Sequence, residues 1–563
     1  RRKRDRLLHR LLQTGAIDSS TYHLALLEPV PTRVLAFPVL APHLSRMLHQ
    51  RHGSGSIRTT LKRDIQQHAE LLVRQYSERL RNLGIHNSAA LIVETRSGRI
   101  RAWVGSQDFF DRARHGQVDG VLAPRSSGSI LKPHLYALAM DNGLLLPQTR
   151  LFDIPSAFGT FMPSNADEKF RGLVRADDAL IHSLNIPAVR LLHEYGVVPF
   201  AHFLRQAGIQ TLQREADDYG LSLILGGAEV RLYDLAVLYR GLGLGGRFAP
   251  LHVLAEDSTQ HADGRQLISP GASWLTLNVL RKVVRPGPEQ FWFRFDNARP
   301  LAWKTGTSYG HRDAWAVGVS PEWTVAVWVG NFSGSGNANL GGATGAGPLL
   351  FELFNSLPHA AGAEWFPRPE RELVPVDLCP DSGYPAGPAC PDPVPGSAPA
   401  WARPLPLCPF HKTLFVDKNS GEQVCSLCWK AGEYEARPFF VLPPQVLNYL
   451  RLSGSAPPAV PPHRASCPAK QGGSPLQITY PGPGSKIWLP REVTGTLQKL
   501  TLRAAHRQPG RRVFWYLDNR YLGSTTQEHI RAVALDEGRH ELVLVDESGE
   551  QARRIFFIKR SEE

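Results

Sequence analysis

Apolar positions change their period along the chain, and the changes mark the elements. In DRLLHRLLQTG, Leu7, Leu8, Leu11 and Leu12 share one side of a helix and Gly15 supplies its C-terminal stop. Residues 31 to 85 read as a Pro-containing linker followed by one helix, with Leu61, Ile65, Leu71 and Leu72 at helical intervals. At Ala89 the pattern switches: AALIVETRSGRIRAWVG is two apolar runs around an RSG turn, a hairpin. From Leu131 to Leu242 helical periods dominate, as in AVRLLHEYG and VRLYDLAVLYRGLG, each closed by glycine. LAWKTGTSYGHRDAWAVGVSPEWTVAVWVGN then predicts three adjacent antiparallel strands with turns at YGHRD and SPEW. Strands at both ends with helices between predict one α+β domain that pairs its terminal strands. Beyond Leu357 the text is rich in Pro and Cys. The last stretch (LQITYPG, KIWLP, VFWYLDNRYLGST, HELVLVDESGEQARRIFFIKR) alternates with turns at DNR and ESGE, which predicts a small immunoglobulin-like β-sandwich.

Length and charge narrow this picture. A chain of 563 residues exceeds the roughly 250 to 300 that one core supports, so several domains are expected. With 42% apolar and 20% charged residues the chain has a globular composition. Its net charge of +13 suits anionic partners, but no Cys-His finger, basic region running into heptads or RNP-like strand is present, so nucleic acid is not expected. No apolar run reaches the length of about 18 residues that would span a membrane, and no secretory leader opens the chain. The chain lacks an initiator Met and starts inside a helix, so an upstream piece is expected.

Candidate chemistry lies in RSSGSILKPHLYALAMDNG. Ser129 and Lys132 stand three apart, on one face of a helix that Ser129 is expected to begin, near unsatisfied N–H groups that would stabilise an oxyanion. A Ser hydroxyl becomes nucleophilic when a base takes its proton, and a desolvated Lys132 can be that base. Alone, S-x-x-K is an ordinary helix cap. Two further elements follow in order: S-L-N at Ser183 to Asn185, on an expected tight turn, and K-T-G at Lys304 to Gly306, in an expected strand. Ser183 would relay a proton, and Asn185 would hold Lys132 and a substrate carbonyl. Lys304 would depress the Lys132 pKa and attract a carboxylate. Gly306 would let an extended peptide lie along the strand, Thr305 and Thr307 would offer hydroxyls to that carboxylate, and the N–H groups of Ser129 and Thr307 would form the oxyanion hole.

S-x-x-K with S-D-N and K-T-G marks class A β-lactamases and penicillin-binding proteins. RSSGSILKPHLYALAMDNGLLLPQTRLFDIP, ALIHSLNIPAVRLL, LILGGAEVRLYDLAVLY and WKTGTSYGHRDAWAVGV closely resemble the transpeptidases of bifunctional class A penicillin-binding proteins, the 1C branch among them. The resemblance implies an α+β fold: a penicillin-binding, serine β-lactamase-like transpeptidase at 85–357, then a Pro/Cys-rich connection at 358–473 and the β-sandwich at 474–563. Residues 1–30 resemble the last helices of the family's glycosyltransferase domain and 31–84 its linker, so the longer gene product is expected to carry that second activity. The implied reaction is D,D-transpeptidation of peptidoglycan pentapeptide stems through a Ser129 acyl-enzyme that β-lactams also form. The implied place is the periplasmic side of the inner membrane, reached only through an N-terminal helix missing from this sequence. No cofactor and no metal at the catalytic residues are expected, and the C-terminal domain is the candidate surface for cell-wall synthesis proteins.

The family usually has Pro where this chain has Ser127, which implies a looser turn. The rival readings are a D,D-carboxypeptidase using the same acyl-enzyme, a weakly active peptidoglycan-binding scaffold, and a β-lactamase. The last would need a Glu to activate the deacylating water, and Glu168, Glu215 and Glu229 do not sit in that family's loop phrase. All six cysteines, Cys379, Cys390, Cys408, Cys425, Cys428 and Cys467, fall in the connecting region. Cys425-x-x-Cys428 with Cys408 and His411 is compatible with zinc or disulfides, and the implied compartment favours disulfides.

Overall fold

The Val- and Trp-rich runs pair as their pattern requires, in one antiparallel sheet of β1 (Asn87–Glu94), β2 (Ile100–Val104), β3 (Ala302–Thr307), β4 (Asp313–Val319) and β5 (Trp323–Gly330). The order β2-β1-β5-β4-β3 sets the first and last strands side by side, Asn87 opposite Gly330 through Glu94 opposite Trp323, and leaves β3 at an edge. Helices cover both faces, so β4 and β5 are buried at every position. On one face, helices Arg63–Leu80 and Gly347–Ser356 bury Ile65, Val73, Phe351 and Phe354 against Trp303 and Val325. On the other, Leu232–Gly243 packs on the sheet with Lys132–Asp141 and Pro270–Leu280 behind it. Lys132–Asp141 is buried from Lys132 to Met140, which accounts for its weak amphipathicity.

The computed structural model describes residues 2–29, 39–158, 161–256, 264–294, 299–359, 364–467, 475–489, 498–508, 510–547 and 549–560. Parts of the expected linker (31–38), connecting region (360–363, 468–473) and sandwich (490–497) lie outside them. The chain divides into Arg1–Pro42 and His43–Glu563. In the first unit, helix Arg2–Gln13 ends as its glycine requires: Gly15 takes φ +70°, and Gly15 N and Ala16 N donate to Leu12 O and Leu11 O. Two differences from the sequence reading follow it. Residues Pro42–His52 are helical, with His43, Leu44 and Leu48 buried. Helix Arg63–Leu80, read as part of the linker, belongs to the core of the sheet.

After Leu357 the strands are short and bury few apolar side chains. Leu373–Leu378 pairs with Val394–Pro399, and His411–Asp417 lies between Gln423–Val424 and Tyr434–Phe440. Here the geometry departs from the disulfide expectation: no two of the six cysteines are joined by a disulfide. They converge in threes, each group on a histidine, Cys379, Cys390 and Cys408 with His411, and Cys425, Cys428 and Cys467 with His463. The sulfurs of Cys425 and Cys467 stand 3.5 Å apart, beyond the about 2.05 Å of a disulfide bond.

The C-terminal residues form two sheets over one core. Leu476–Tyr480, Leu500–His506 and Ile530–Val533 face Lys486–Leu489, Gln551–Arg560, Gly538–Asp546, Val513–Leu517 and Arg520–Thr525, with Leu502, Trp515, Leu544 and Phe556 between them. The DNR turn closes as a tight hairpin with Asp518 and Asn519 in the left-handed region, φ 50° and 65°. Helix Pro444–Leu452 packs against Leu500–His506 on one side and the strand Gly172–Arg175 on the other.

Candidate active site

Ser129 sits in a turn that precedes helix Lys132–Asp141, three residues before the position expected for it. The turn is a run of i to i+3 hydrogen bonds, Ile130 N to Ser127 O and Lys132 N to Ser129 O, both 3.3 Å. The S-x-x-K spacing therefore keeps Ser129 and Lys132 one turn apart although the α-helix starts at the lysine. The turn is held from outside at Ser126, Ser127 and Ile130. Ser126 Oγ donates to Gly226 O at 2.8 Å, Trp315 Nε1 donates to Ser126 O at 2.8 Å, and Tyr239 OH donates to Ile130 O at 2.7 Å. Ser127 N donates to Ala228 O at 3.0 Å, a bond that proline could not make. The implied looseness at Ser127 is thus corrected: the N–H regained by losing the Pro ring is itself a tether.

Lys132 is fully buried and donates to Ser183 O (2.7 Å), Leu184 O (3.0 Å) and Asn185 Oδ1 (2.7 Å). Burial, and then the charge of Lys304, push its pKa well below the usual lysine range. A neutral Lys132 has two N–H donors, enough for two of these three acceptors, and a lone pair free to take a proton. Ser183 holds a left-handed conformation, φ 56°, where helix Ala176–Ile181 ends and Asn185–Tyr195 begins. Non-glycine residues adopt that conformation uncommonly, chiefly at turns and at functional sites. The reversal aims Ser183 O at Lys132 and Ser183 Oγ at Lys304, whose Nζ donates to it at 2.8 Å and to Thr305 O at 2.8 Å. Lys304 is 1% exposed, and burial pushes its pKa down to about 7.

The K-T-G run lies on the edge strand β3, in register with Val317 opposite Lys304 and Trp315 opposite Gly306. Ser308 N donates to Asp313 O, so the ladder turns the backbone of residues 304 and 306 toward β4. The N–H and C=O groups of Thr305 and Thr307 are left on the free edge. The Ser129 turn packs directly on that edge: a Cβ on Gly128, φ +53°, would stand 2.7 Å from Thr307 N, and one on Gly306 would stand 2.7 Å from Ser127 O. A side chain on Gly306 would therefore enter the space that the Ser129 turn occupies. Thr305 and Thr307 are half-buried, and Thr307 Oγ1 accepts from Gly342 N at 2.9 Å while keeping its proton to donate.

All eight residues singled out in the sequence thus belong to one place where turn, S-L-N reversal and strand edge meet. Two were missed. Asn165, 2% exposed, accepts from Asn185 N (2.8 Å) and Ile186 N (3.3 Å), and it donates to buried Asp153 Oδ1 (2.8 Å) and Lys169 O (2.7 Å). Asp153 closes the same network by accepting from Arg171 N at 2.9 Å. Neither carries a spacing signal, because Asn165 reaches the S-L-N turn from a loop and Asp153 holds Asn165 from the end of the strand Arg150–Asp153.

Residues 88–346 match the family model of the penicillin binding protein transpeptidase domain, and residues 465–557 match that of the Penicillin-Binding Protein C-terminus Family. Together with the geometry above, this defines a penicillin-binding transpeptidase. Over 582 aligned positions the chain is 32% identical to penicillin-binding protein 1C of Escherichia coli (strain K12), covering 99% of this chain and 72% of that relative. The chain belongs to the penicillin-binding proteins, in the 1C branch of class A. It is 31% identical to penicillin-binding protein 1F of Bacillus subtilis (strain 168), spanning 43% of this chain and 35% of the relative. The fold matches that of penicillin-binding protein 1A from Haemophilus influenzae with a TM-score of 0.56 at 17% identity, over 72% of this chain and 82% of that one.

Proposed function

We propose that the chain is a peptidoglycan D,D-transpeptidase of cell-wall synthesis in which Ser129 is the nucleophile. Lys132, neutral in its dry pocket, takes the Ser129 proton as Oγ attacks the carbonyl of the penultimate D-Ala. The oxyanion is held by the N–H groups of Ser129 and Thr307, one at the head of the turn and one on the free strand edge. The proton passes through Ser183, which Lys304 holds at 2.8 Å, to the departing D-Ala amine. The acyl group then moves from Ser129 to an amine of a neighbouring stem, whose released proton returns along the same path. Asn185 fixes Lys132 and offers Nδ2 to the substrate backbone, while Lys304 with Thr305 and Thr307 receives the terminal carboxylate. β-Lactams acylate the same oxygen.

The observation that carries this reading is the placement of two buried lysines on the two sides of the S-L-N reversal, against the turn that presents Ser129. We place the enzyme on the periplasmic side of the inner membrane, as its family implies; among the described residues no helix is long and apolar enough to cross a membrane. The terminal sandwich is read as immunoglobulin-like in class and as the surface for cell-wall synthesis proteins, and residues 1–30 as the end of a glycosyltransferase domain. The test is covalent labelling by a fluorescent penicillin, which Ser129→Ala abolishes; equal labelling of both proteins sinks the assignment. A D-Ala-D-Ala peptide offered with a D-amino acid acceptor yields the exchanged peptide if the enzyme is a transferase, and only free acid if it is a carboxypeptidase.

A further inference from the structure

The connecting region holds two arrangements that the transpeptidase does not use. In the first, Cys379 Sγ and Cys408 Sγ lie 3.2 and 3.5 Å from His411 Nδ1, and Cys390 completes the group. In the second, Cys425 Sγ lies 3.5 Å from Cys467 Sγ and 3.9 Å from Cys428 Sγ, which is 3.9 Å from His463 Nε2. Within each group all four ligand atoms lie within 4.8 Å of one another. With Zn–S of about 2.3 Å and Zn–N of about 2.0 to 2.1 Å, a tetrahedral site has S···S edges of about 3.8 Å and S···N edges of about 3.5 Å. The printed separations fall around these edges, and no two sulfurs among them approach bonding distance.

The surroundings point the same way. The ring nitrogen of each histidine that faces away from the sulfurs is oriented: His411 Nε2 stands 3.3 Å from Asp381 Oδ2, and His463 Nδ1 stands 3.3 Å from Arg464 O. Such outer partners fix the tautomer of a ligating imidazole. The sulfurs accept hydrogen bonds suited to thiolates, Cys390 from Gly387 N, Cys408 from Ser382 Oγ and Cys428 from Cys425 N. Three cysteines per group is also the wrong number for disulfides, since one bridge would strand a thiol beside each histidine. Finally, the region needs staples. Its central strand, His411–Asp417, buries only Val416 and Asp417, and it joins the two groups: His411 begins it, and the hairpin from its far end leads into Cys425.

We propose that the connecting region is a double zinc module, one Zn²⁺ held by Cys379, Cys390, Cys408 and His411 and a second by Cys425, Cys428, His463 and Cys467. Each site is closed by four protein ligands, so its role is structural. Binding exchanges three thiol protons for one dication at each site and involves no redox step. The first site anchors the module to the transpeptidase: Ser382 O accepts from Arg150 N at 2.7 Å and Gly383 O from Thr149 Oγ1 at 3.2 Å, on the strand that ends in Asp153.

The test is elemental analysis of the full chain, purified without chelator, with free thiols counted by mass spectrometry after alkylation under denaturing conditions. Two zinc ions per chain are expected, with six alkylated cysteines and no bridge. Cys408→Ser and Cys425→Ser should each remove one ion. Should either variant fail to fold, His411→Cys and His463→Cys, which keep a complete thiolate set, retain the metal while the corresponding Ala variants lose it. Co²⁺ added to the metal-stripped, reduced chain should give the intense visible bands of tetrahedral thiolate coordination. Disulfide-linked cysteines in the purified chain, or a reduced chain that takes up neither Zn²⁺ nor Co²⁺, overturns the proposal. A stoichiometry of one that only one serine variant abolishes overturns the other site.

Discussion

Lys304 shows how a side chain can work against the fold in order to serve the site. Its ammonium is held at a pKa of about 7 by burial, against 10.5 in an unfolded chain. Between those values the unfolded state binds the extra proton, so stability rises with pH from about 7 to 10.5, and below 7 the whole penalty is present. Lys304→Met should therefore raise the melting temperature at pH 6 and do so progressively less as the pH approaches 10. A gain larger at high pH would show that burial does not set the charge of Lys304. The same variant removes the cation beside Lys132, so the acid limb of penicillin acylation should move to higher pH even as the rate falls.

At the scale of elements, the site depends on two backbones approaching more closely than side chains allow. Gly128 and Gly306 face each other across the contact between the Ser129 turn and the edge of β3. Gly306→Ala places a methyl 2.7 Å from Ser127 O and 3.2 Å from both Ile130 N and Ile130 Cβ, so the turn must retreat. Overpacking of this kind costs about 1 to 3 kcal/mol. Because a displacement approaching 1 Å costs about a hundredfold in rate, penicillin acylation should slow by roughly 10- to 100-fold, measured as a second-order rate constant. A variant with wild-type kinetics would show that the turn is not positioned by β3. K-T-G marked this strand in the sequence, but nothing there told which neighbour requires its glycine, because the contact joins Ser127 to Gly306, 179 positions apart.

Across the whole of the larger unit, helix Pro444–Leu452 is the joint between catalytic and C-terminal parts. Leu450 is 4% exposed in a cluster with Ile154, Phe410, Leu442 and Val446, and Tyr449 OH donates to Phe170 O at 2.9 Å. Leu450→Ala should cost about 2 to 5 kcal/mol. Calorimetry should then resolve separate transitions for the sandwich and the transpeptidase, and an unchanged melting curve would mean that the helix couples nothing. Sequence patterning indicated an element boundary near Leu357, yet it offered no hint that residues 442–450 pack back onto Phe152, Ile154 and Leu173. Helix Arg63–Leu80 was similarly detached from its sheet, since periodicity shows that a face is apolar without showing what covers it.

Local signals alone determined much here: the strand runs, their pairing from the two ends of the domain, the terminal sandwich strands, and the order S-x-x-K, S-L-N, K-T-G. Each is written in neighbouring residues, through period, turn chemistry or the needs of a reaction. Tertiary structure decided the rest, because long-range convergence leaves no period in a chain. It alone set Asn165 and Asp153 behind Asn185, turned Ser183 into a left-handed conformation between two lysines, and made the N–H of Ser127 a tether. It also sorted the cysteines into two histidine-bearing groups of three, where their compartment had suggested pairs.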